Sequence, residues 1–320
     1  MKKGIALIFI VLLIITTSCS NISDGKVQNV GLLVEGTIHD QTWGKKGYMG
    51  LLSIKEELDV NVFFKEGVNT QLAVNAAVEE FSKQNVNLIF GHSSIYGKYF
   101  SEINESYPDI EFVYFNGATK DDNITSINFN SHAMGFFAGM IASAMSNSKS
   151  VGVIGTFGWQ PEVDGFYEGA KYYNPDVNVE IQYVNSWDNV DRAFDIYEQF
   201  NNKKVDVYYP AGDGFNIPVL NKVKEDGHYA IGYVSDQHEL GESTVLTSTV
   251  QHVDFLYLAV ANLMNEKDGD IPGGVLEFDF QDGVISMGTF SDVVPNDVKK
   301  EIQSAVKQYI DTGKLPNEIR

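Results

Sequence analysis

The stretch VQNVGLLVEGTIHDQTWGKKGYMGLLSIKEELDVNVFF, residues 27–64, decides the fold. It opens with an apolar run over 27–34 that ends in a polar loop. Helical spacing follows over 44–58, with Tyr48, Leu51, Leu52 and Leu58 on one side. A second apolar run covers 60–64. Strand, helix and strand in this order form a βαβ unit, and the crossover makes the two strands parallel. The alternation continues outward, with a predicted helix at 71–81, a strand at 86–90, a helix at 95–105 and a strand at 110–115. Strands covered by helices on both faces make an α/β parallel sheet.

The pattern then recurs. Apolar runs begin near 27, 60, 86 and 110, and again near 150, 177, 205 and 229. The near-constant offset predicts two doubly wound lobes in one chain. Length agrees, since 320 residues exceed one minimal core and suit two domains of about 150. Three segments look like crossings between lobes. They are the strand 124–129 before a helix at 134–145, the strand 245–250 before a helix at 255–264, and 275–280 leading through Gly283 to 284–287. An amphipathic helix near 297–310 closes the chain. These crossings assign 27–129 with 250–280 to a first lobe, and 130–249 with 281–320 to a second. Two lobes joined by a multi-strand hinge enclose a ligand cleft and close about it.

Composition narrows the function. The chain carries 23 Lys+Arg against 43 Asp+Glu, a net charge of −20, and its arginines are Arg192 and Arg320 alone. Nucleic-acid readers concentrate Lys and Arg on one face to release counterions. Direct nucleic-acid binding is therefore not expected. Gly152, Gly155 and Gly158 have the wrong spacing for a dinucleotide fingerprint, and no P-loop lysine or nucleophile elbow is present. The histidines are His39, His92, His132, His228, His238 and His252, and none forms an i, i+4 zinc pair. Nothing supplies a nucleophile or electrophile for the loop carboxylates to serve. No enzyme activity, no metal and no cofactor are expected.

The N-terminus reads as an address. Lys2 and Lys3 precede an apolar segment over 5–15, and Thr16, Thr17 and Ser18 lead to Cys19, the single cysteine. A basic start, a short apolar segment and small residues before a cut form a secretory signal. The segment is too short to span a bilayer core comfortably. The expectation is a signal peptide at 1–18, a lipid on Cys19 and a polar tether over 19–26. The protein is then held on the extracytoplasmic face of the cell membrane. Loss of Lys2 and Lys3 with the signal takes the charge from −20 to −22.

In open parallel sheets, ligands lie beyond the carboxyl ends of the strands. The loops there, at 35–43, 91–96, 116–120, 156–160, 185–189, 210–216 and 235–239, hold all three tryptophans, Trp43, Trp159 and Trp187. Tryptophan at a loop tip facing a cleft suits stacking on a flat ring or a sugar face. His92, Asp213 and Asp236 lie in the same loops and are further candidates.

Six motifs in order carry a family resemblance. Ile38-His39-Asp40-Gln41-Thr42-Trp43 looks like the F-N-D-x-S-F segment that follows the first strand of the basic-membrane-protein family. Tyr107-Pro108-Asp109-Ile110-Glu111-Phe112 looks like its P-D-x-x-F, and Met134-Gly135-Phe136-Phe137-Ala138-Gly139 matches its helix pattern ending in A-G. Ala211-Gly212-Asp213-Gly214 looks like its A-G-x-x-G turn, residues 230–237 match A-I-G-V-D-S-D-Q, and Leu246-Thr247-Ser248 matches L-T-S. The chain resembles these lipoproteins, the substrate-binding components of nucleoside ABC importers, over nearly its whole length.

The resemblance implies a type I periplasmic-binding-protein fold, a purine-nucleoside-like ring ligand and an ABC permease as partner. It implies that Asp40 hydrogen-bonds the base edge and that Trp43 replaces a stacking Phe. Trp187, Trp159 or Tyr209 would oppose it from the second lobe, and Gly212 would let backbone approach the ligand. Three positions depart from the family pattern. Asn116 stands for an aspartate, Val234 for the first aspartate of D-S-D, and Gln251 for the lysine after L-T-S. In nucleoside binders, an acid and a lysine near these positions hold the ribose hydroxyls. A buried hydroxyl left unpaired costs about 1–3 kcal/mol. A free base or another ring compound therefore stays open as the ligand. The runs 159–166, 209–214 and 245–251 are similar to those of a regulatory lipoprotein within the family. That leaves a second function open, a positive and indirect action on competence without import.

Overall fold

A computed structural model describes residues 26–39, 43–118, 121–266, 269 and 271–319. The signal segment 1–18, Cys19 with its tether up to residue 25, and Asp40 lie outside the described residues.

Two six-stranded sheets organise the chain. The first contains β1 (Asn29–Leu33), β2 (Asn61–Lys65), β3 (Leu88–Gly91), β4 (Glu111–Phe115), β5 (Ile124–Phe129) and β11 (Gly274–Phe278). Its order is β11-β5-β4-β3-β1-β2, and every pair is parallel. The second contains β6 (Ser150–Gly155), β7 (Asn178–Tyr183), β8 (Val207–Ala211), β9 (Tyr229–Gly232), β10 (Val245–Gln251) and β12 (Ile285–Met287). Its order is β12-β10-β9-β8-β6-β7. The winding is the same in both, as the repeated spacing predicts. Only the last strand differs, since β11 joins β5 in parallel and β12 joins β10 antiparallel.

The helices are α1 (Trp43–Leu58), α2 (Gln71–Ser82), α3 (Tyr96–Ser101), α4 (Ser131–Met145), α5 (Pro161–Tyr173), α6 (Val190–Asn202), α7 (Asn216–Glu225), α8 (Val253–Glu266) and α9 (Asn296–Thr312). Local chemistry sets several ends. Thr70 caps α2 by accepting from the Ala73 N–H at 3.3 Å, and Asn189 caps α6 by accepting from the Arg192 N–H at 3.0 Å. Helix α3 is shorter than its apolar spacing predicts. The Asn123 amide donates to the carbonyls of Tyr107 and Ile110, at 3.2 and 2.9 Å, and ties the chain after α3 back toward β5. A short 3-10 turn, Asn104–Ser106, takes the place of the missing helical turn.

Three crossings join the sheets where the sequence predicts them: β5 to α4, β10 to α8, and β11 to β12. The third runs through a 3-10 turn at Phe280–Asp282 that ends on Gly283 at φ 73, a conformation glycine reaches without a Cβ clash. Asp279 holds this hinge together. Its carboxylate accepts from the Asn130 amide at 2.8 Å and from the Tyr309 hydroxyl at 2.6 Å. The first and third crossings are thereby bound to α9. His252 joins the second crossing to the third, with its N–H on the Val284 carbonyl at 2.8 Å and its ring on the Ser286 hydroxyl at 2.8 Å.

Helix α4 has no Lys, Arg, Asp or Glu and is apolar nearly all round. Such a helix must be buried. It lies parallel to α5 at backbone contact. A Cβ added to Gly135 would meet the Glu162 carbonyl, and one on Gly139 the Phe166 carbonyl. From the other side, a Cβ on Gly165 would meet the His132 carbonyl, and one on Gly169 the Phe136 carbonyl. A helical backbone cannot swing aside as a side chain can.

Gly169→Ala is therefore expected to lower the unfolding free energy by about 1–3 kcal/mol in a urea titration. Gly158→Ala is the control, because a Cβ there has its nearest neighbour at 3.8 Å. It should stay within about 0.5 kcal/mol of the parent.

Candidate functional site

A cavity of about 720 Å³ lies between the carboxyl ends of the two sheets. That size suits a small molecule. The first lobe contributes the loop after β1, the start of α1, and the residues that follow β3, β4 and β5. The second contributes the loop between β6 and α5, Trp187 after β7, Asp213 after β8, and Tyr233 and Val234 after β9.

Trp43 heads α1 and is half-buried on the cavity wall. Its indole stacks on His92 with centroids 4.3 Å apart and planes at 15°, and meets the edge of Phe115 at 5.0 Å. The Trp43 Nε1–H donates to the His92 carbonyl at 3.1 Å. His92 Nε2 lies 2.7 Å from the Trp43 carbonyl, which can only accept, so this nitrogen carries the proton. Nδ1 then accepts from the Tyr257 hydroxyl at 2.7 Å. Burial pushes the His92 pKa down to about 4, while its bond to the Trp43 carbonyl works in the opposite direction. Gly47 permits the arrangement, since a Cβ there would lie 2.7 Å from the His92 ring. His92 covers one face of the indole, so a ring that stacks on Trp43 has the other.

The opposite wall holds an aromatic corner. Phe157 stacks on Trp159 at 5.6 Å and 10°, and Trp187 stands across Trp159 at 6.2 Å and 69°. Trp159 is 62% exposed and Trp187 is 40% exposed.

The floor is a buried carboxylate. Glu162 sits in the first turn of α5 and is 4% exposed. It accepts from the Ser131 hydroxyl at 2.8 Å, the Gln160 amide at 2.9 Å and the Tyr233 hydroxyl at 3.0 Å. Gln160 is fixed in turn, because its Oε1 accepts from the backbone N–H groups of Thr156 and Phe157 at 2.6 and 2.9 Å. Sequence reasoning missed Glu162, Gln160, Tyr233 and Ser131. An acid in the first turn of a helix that starts at strand ends was the signal for Glu162.

The structure brings Trp43, His92, Asn116, Trp159, Trp187, Asp213 and Gln251 together around the cavity. It does not bring Tyr209, Gly212 or Asp236 there. Tyr209 is fully buried, stacked on Phe166 at 5.5 Å with its hydroxyl 3.0 Å from that of Thr249. Gly212 packs against Phe215 and Thr156, whose side chains fill the space a Cβ would need. Asp236 accepts from the N–H and hydroxyl of Thr289 at 2.9 and 2.7 Å, and so fastens a loop instead of facing the cleft. Among the described residues, no group of three or more His, Cys, Asp or Glu could hold a metal. Among them, too, no helix is long and apolar enough to cross a membrane.

A family profile described as Bmp, ABC transporter substrate-binding protein PnrA-like, matches residues 27–318. The chain belongs to the Bmp family. It is 48% identical over 316 residues to the transcriptional activator protein med of Bacillus subtilis (strain 168), covering 99% of each chain. It is 28% identical over 307 residues to basic membrane protein A of Borreliella afzelii, covering 92% of this chain and 93% of the relative. The crystal structure of a transcriptional activator of the comK gene from Bacillus halodurans superposes with a TM-score of 0.85 at 48% identity, covering 90% of this chain and 99% of that one. An ABC transporter solute-binding protein from Aeropyrum pernix K1 shares the fold, with a TM-score of 0.73 at 18% identity over 89% of this chain and 92% of that one.

In this Bmp chain the wall holds a strained point. Val234 has φ 64 and is 4% exposed. A β-branched residue in the left-handed region costs about 1–3 kcal/mol. Asn116, also left-handed at φ 55, is a residue that tolerates this conformation. The Val234 position is held from both sides. Its carbonyl accepts from the Gln251 N–H at 3.0 Å, and the Tyr233 N–H donates to Gln237 Oε1 at 3.0 Å.

The depressed pKa of His92 has a pH signature. The unfolded ring gains a proton as pH falls through about 6.5, whereas the folded ring does so only near 4. Between these values the unfolded state binds more protons, so stability is lost as pH falls through this window. The loss is on the order of 3 kcal/mol. Imidazole NMR should show the His92 ring neutral down to pH 5, and a ring titrating near 6.5 would contradict the geometry.

Proposed function

We propose that this chain is an extracytoplasmic solute-binding lipoprotein, attached through Cys19, that captures a small ring-containing molecule in the interlobe cavity and presents it to an ABC permease. One observation carries the reading: Trp43 from the first lobe and Trp159 and Trp187 from the second line a single cavity. Stacking a base on an aromatic side chain contributes about 1–3 kcal/mol. A purine-nucleoside-like ring suits such walls, and Asp40 enters this reading as the contact to the base edge. The fixed donors and acceptors of Gln160, Glu162 and Tyr233 set the orientation.

A second reading is a regulatory lipoprotein that acts positively on competence without import. Two observations favour it. Val234 and Gln251 stand where nucleoside binders carry an acid and a lysine, and the 48% identical relative is named a transcriptional activator. A net charge of −20 opposes direct contact with DNA phosphates, so this action runs through protein partners at the membrane.

Isothermal titration of the full chain in mild detergent against nucleosides, free bases and sugars tests the first reading. Binding of at least one ring compound is expected, with a loss of tenfold or more in Trp159→Ala. No heat from any of them at millimolar concentration would sink it. Val234→Asp places a residue suited to the left-handed region and returns a hydroxyl acceptor. It is expected to raise affinity for purine nucleosides about tenfold.

A further inference from the structure

Among the described residues, the charged side chains that line the cavity are all acidic. Glu35, Glu162, Asp213 and Glu277 line it, and among the described residues no lysine or arginine does. His92, the imidazole in the wall, is kept neutral at physiological pH by its burial. Lys46 lies behind the wall, where its ammonium donates to the Gln251 carbonyl at 2.7 Å and is attracted by Asp254.

Glu162 and the aromatic corner point to the same ligand chemistry. Glu162 is nearly inaccessible to water, and its partners Ser131, Gln160 and Tyr233 are all neutral donors. Among the described residues no cation pairs with it, and a carboxylate attracts a cation more strongly where protein replaces water around it. The corner supplies ring faces. Trp159 and Trp187 stand at 69° to each other, and Phe157 buttresses both. Ring faces carry negative potential, and a cation placed over an exposed face of either indole is attracted by it. Their exposure shows that these faces are not consumed by core packing.

We propose that the cavity selects an organic cation, with its charge on a methylated or ring nitrogen that the Trp159–Trp187 corner and the Glu162 carboxylate share. The inference rests on the interlobe cavity being a small-molecule site, and it narrows the ring-containing ligand to a positively charged class. The chain's own charge of −20 steers such a ligand to the mouth at low ionic strength.

Matched pairs of probes test it on the full chain in mild detergent. 1-Methyladenosine, cationic at neutral pH, is paired with adenosine, and choline with its neutral isostere 3,3-dimethyl-1-butanol. In at least one pair the cation should bind tenfold or more tightly than its neutral partner, and its affinity should fall as NaCl rises from 50 to 500 mM. Glu162→Gln keeps the shape, with the Ser131 hydroxyl turning from donor to acceptor, and should reduce that preference at least tenfold. The wild-type comparison and the salt series stand even if this variant fails to fold. Equal or tighter binding of both neutral partners overturns the charge inference and leaves the ring-binding reading intact. No binding of any of the four, together with no binding of nucleosides, bases or sugars, overturns both.

Discussion

The backbone contact between α4 and α5 is the constraint on which the cleft depends. Four glycines, Gly135, Gly139, Gly165 and Gly169, remove the side chains that would hold the helices apart. Both helices begin at the cavity, α4 at Ser131 and α5 at Pro161. Their fixed separation is what allows the Ser131 hydroxyl to reach the Glu162 carboxylate at 2.8 Å. The positive end of the α5 dipole favours an acid at that place. Glu162 in turn holds Gln160 and Tyr233, so the start of the hinge and the second lobe's wall form one hydrogen-bonded unit.

The hinge is built where the internal symmetry ends. Five strands of each sheet repeat the same winding, but β11 runs with its neighbour and β12 against it. The chain can thus leave one sheet and enter the other through a short turn. Asp279 binds that turn to Asn130 and to Tyr309 of α9. In this Bmp chain two sheets of matching winding are joined at three neighbouring points. Within the cleft, tryptophans supply flat apolar area and acids supply the field.

Much of this was legible in residue order. Strands buried on both faces are continuous apolar runs, so their beginnings can be counted along the chain. The repeat near 120 residues and all three crossings follow from that count. Trp43, Trp159 and Trp187 could be placed because strand ends are where an open parallel sheet exposes its loops. Tyr209 could not. A strand buried on both faces has no polar alternation to say which way a side chain points, and this one points into the core against Phe166. Asp236 looked like a ligand contact because loop acids at strand ends all look alike. Only the proximity of Thr289, 53 residues away, shows that its acceptors are used.

The sequence by itself determined the two-lobed α/β winding, the hinge crossings, the acidic character and most of the loops that face the cleft, the loop at 235–239 being the exception. These rest on local periodicity and on counts, which need no distant partner. Tertiary structure alone decided that Glu162 forms the floor, that His92 is neutral with its proton on Nε2, and that Val234 is held left-handed. Each of these depends on groups far apart in the chain, such as Ser131 with Glu162, Tyr257 with His92 and Gln251 with Val234. Burial and hydrogen-bond geometry at such contacts arise only once the lobes have packed.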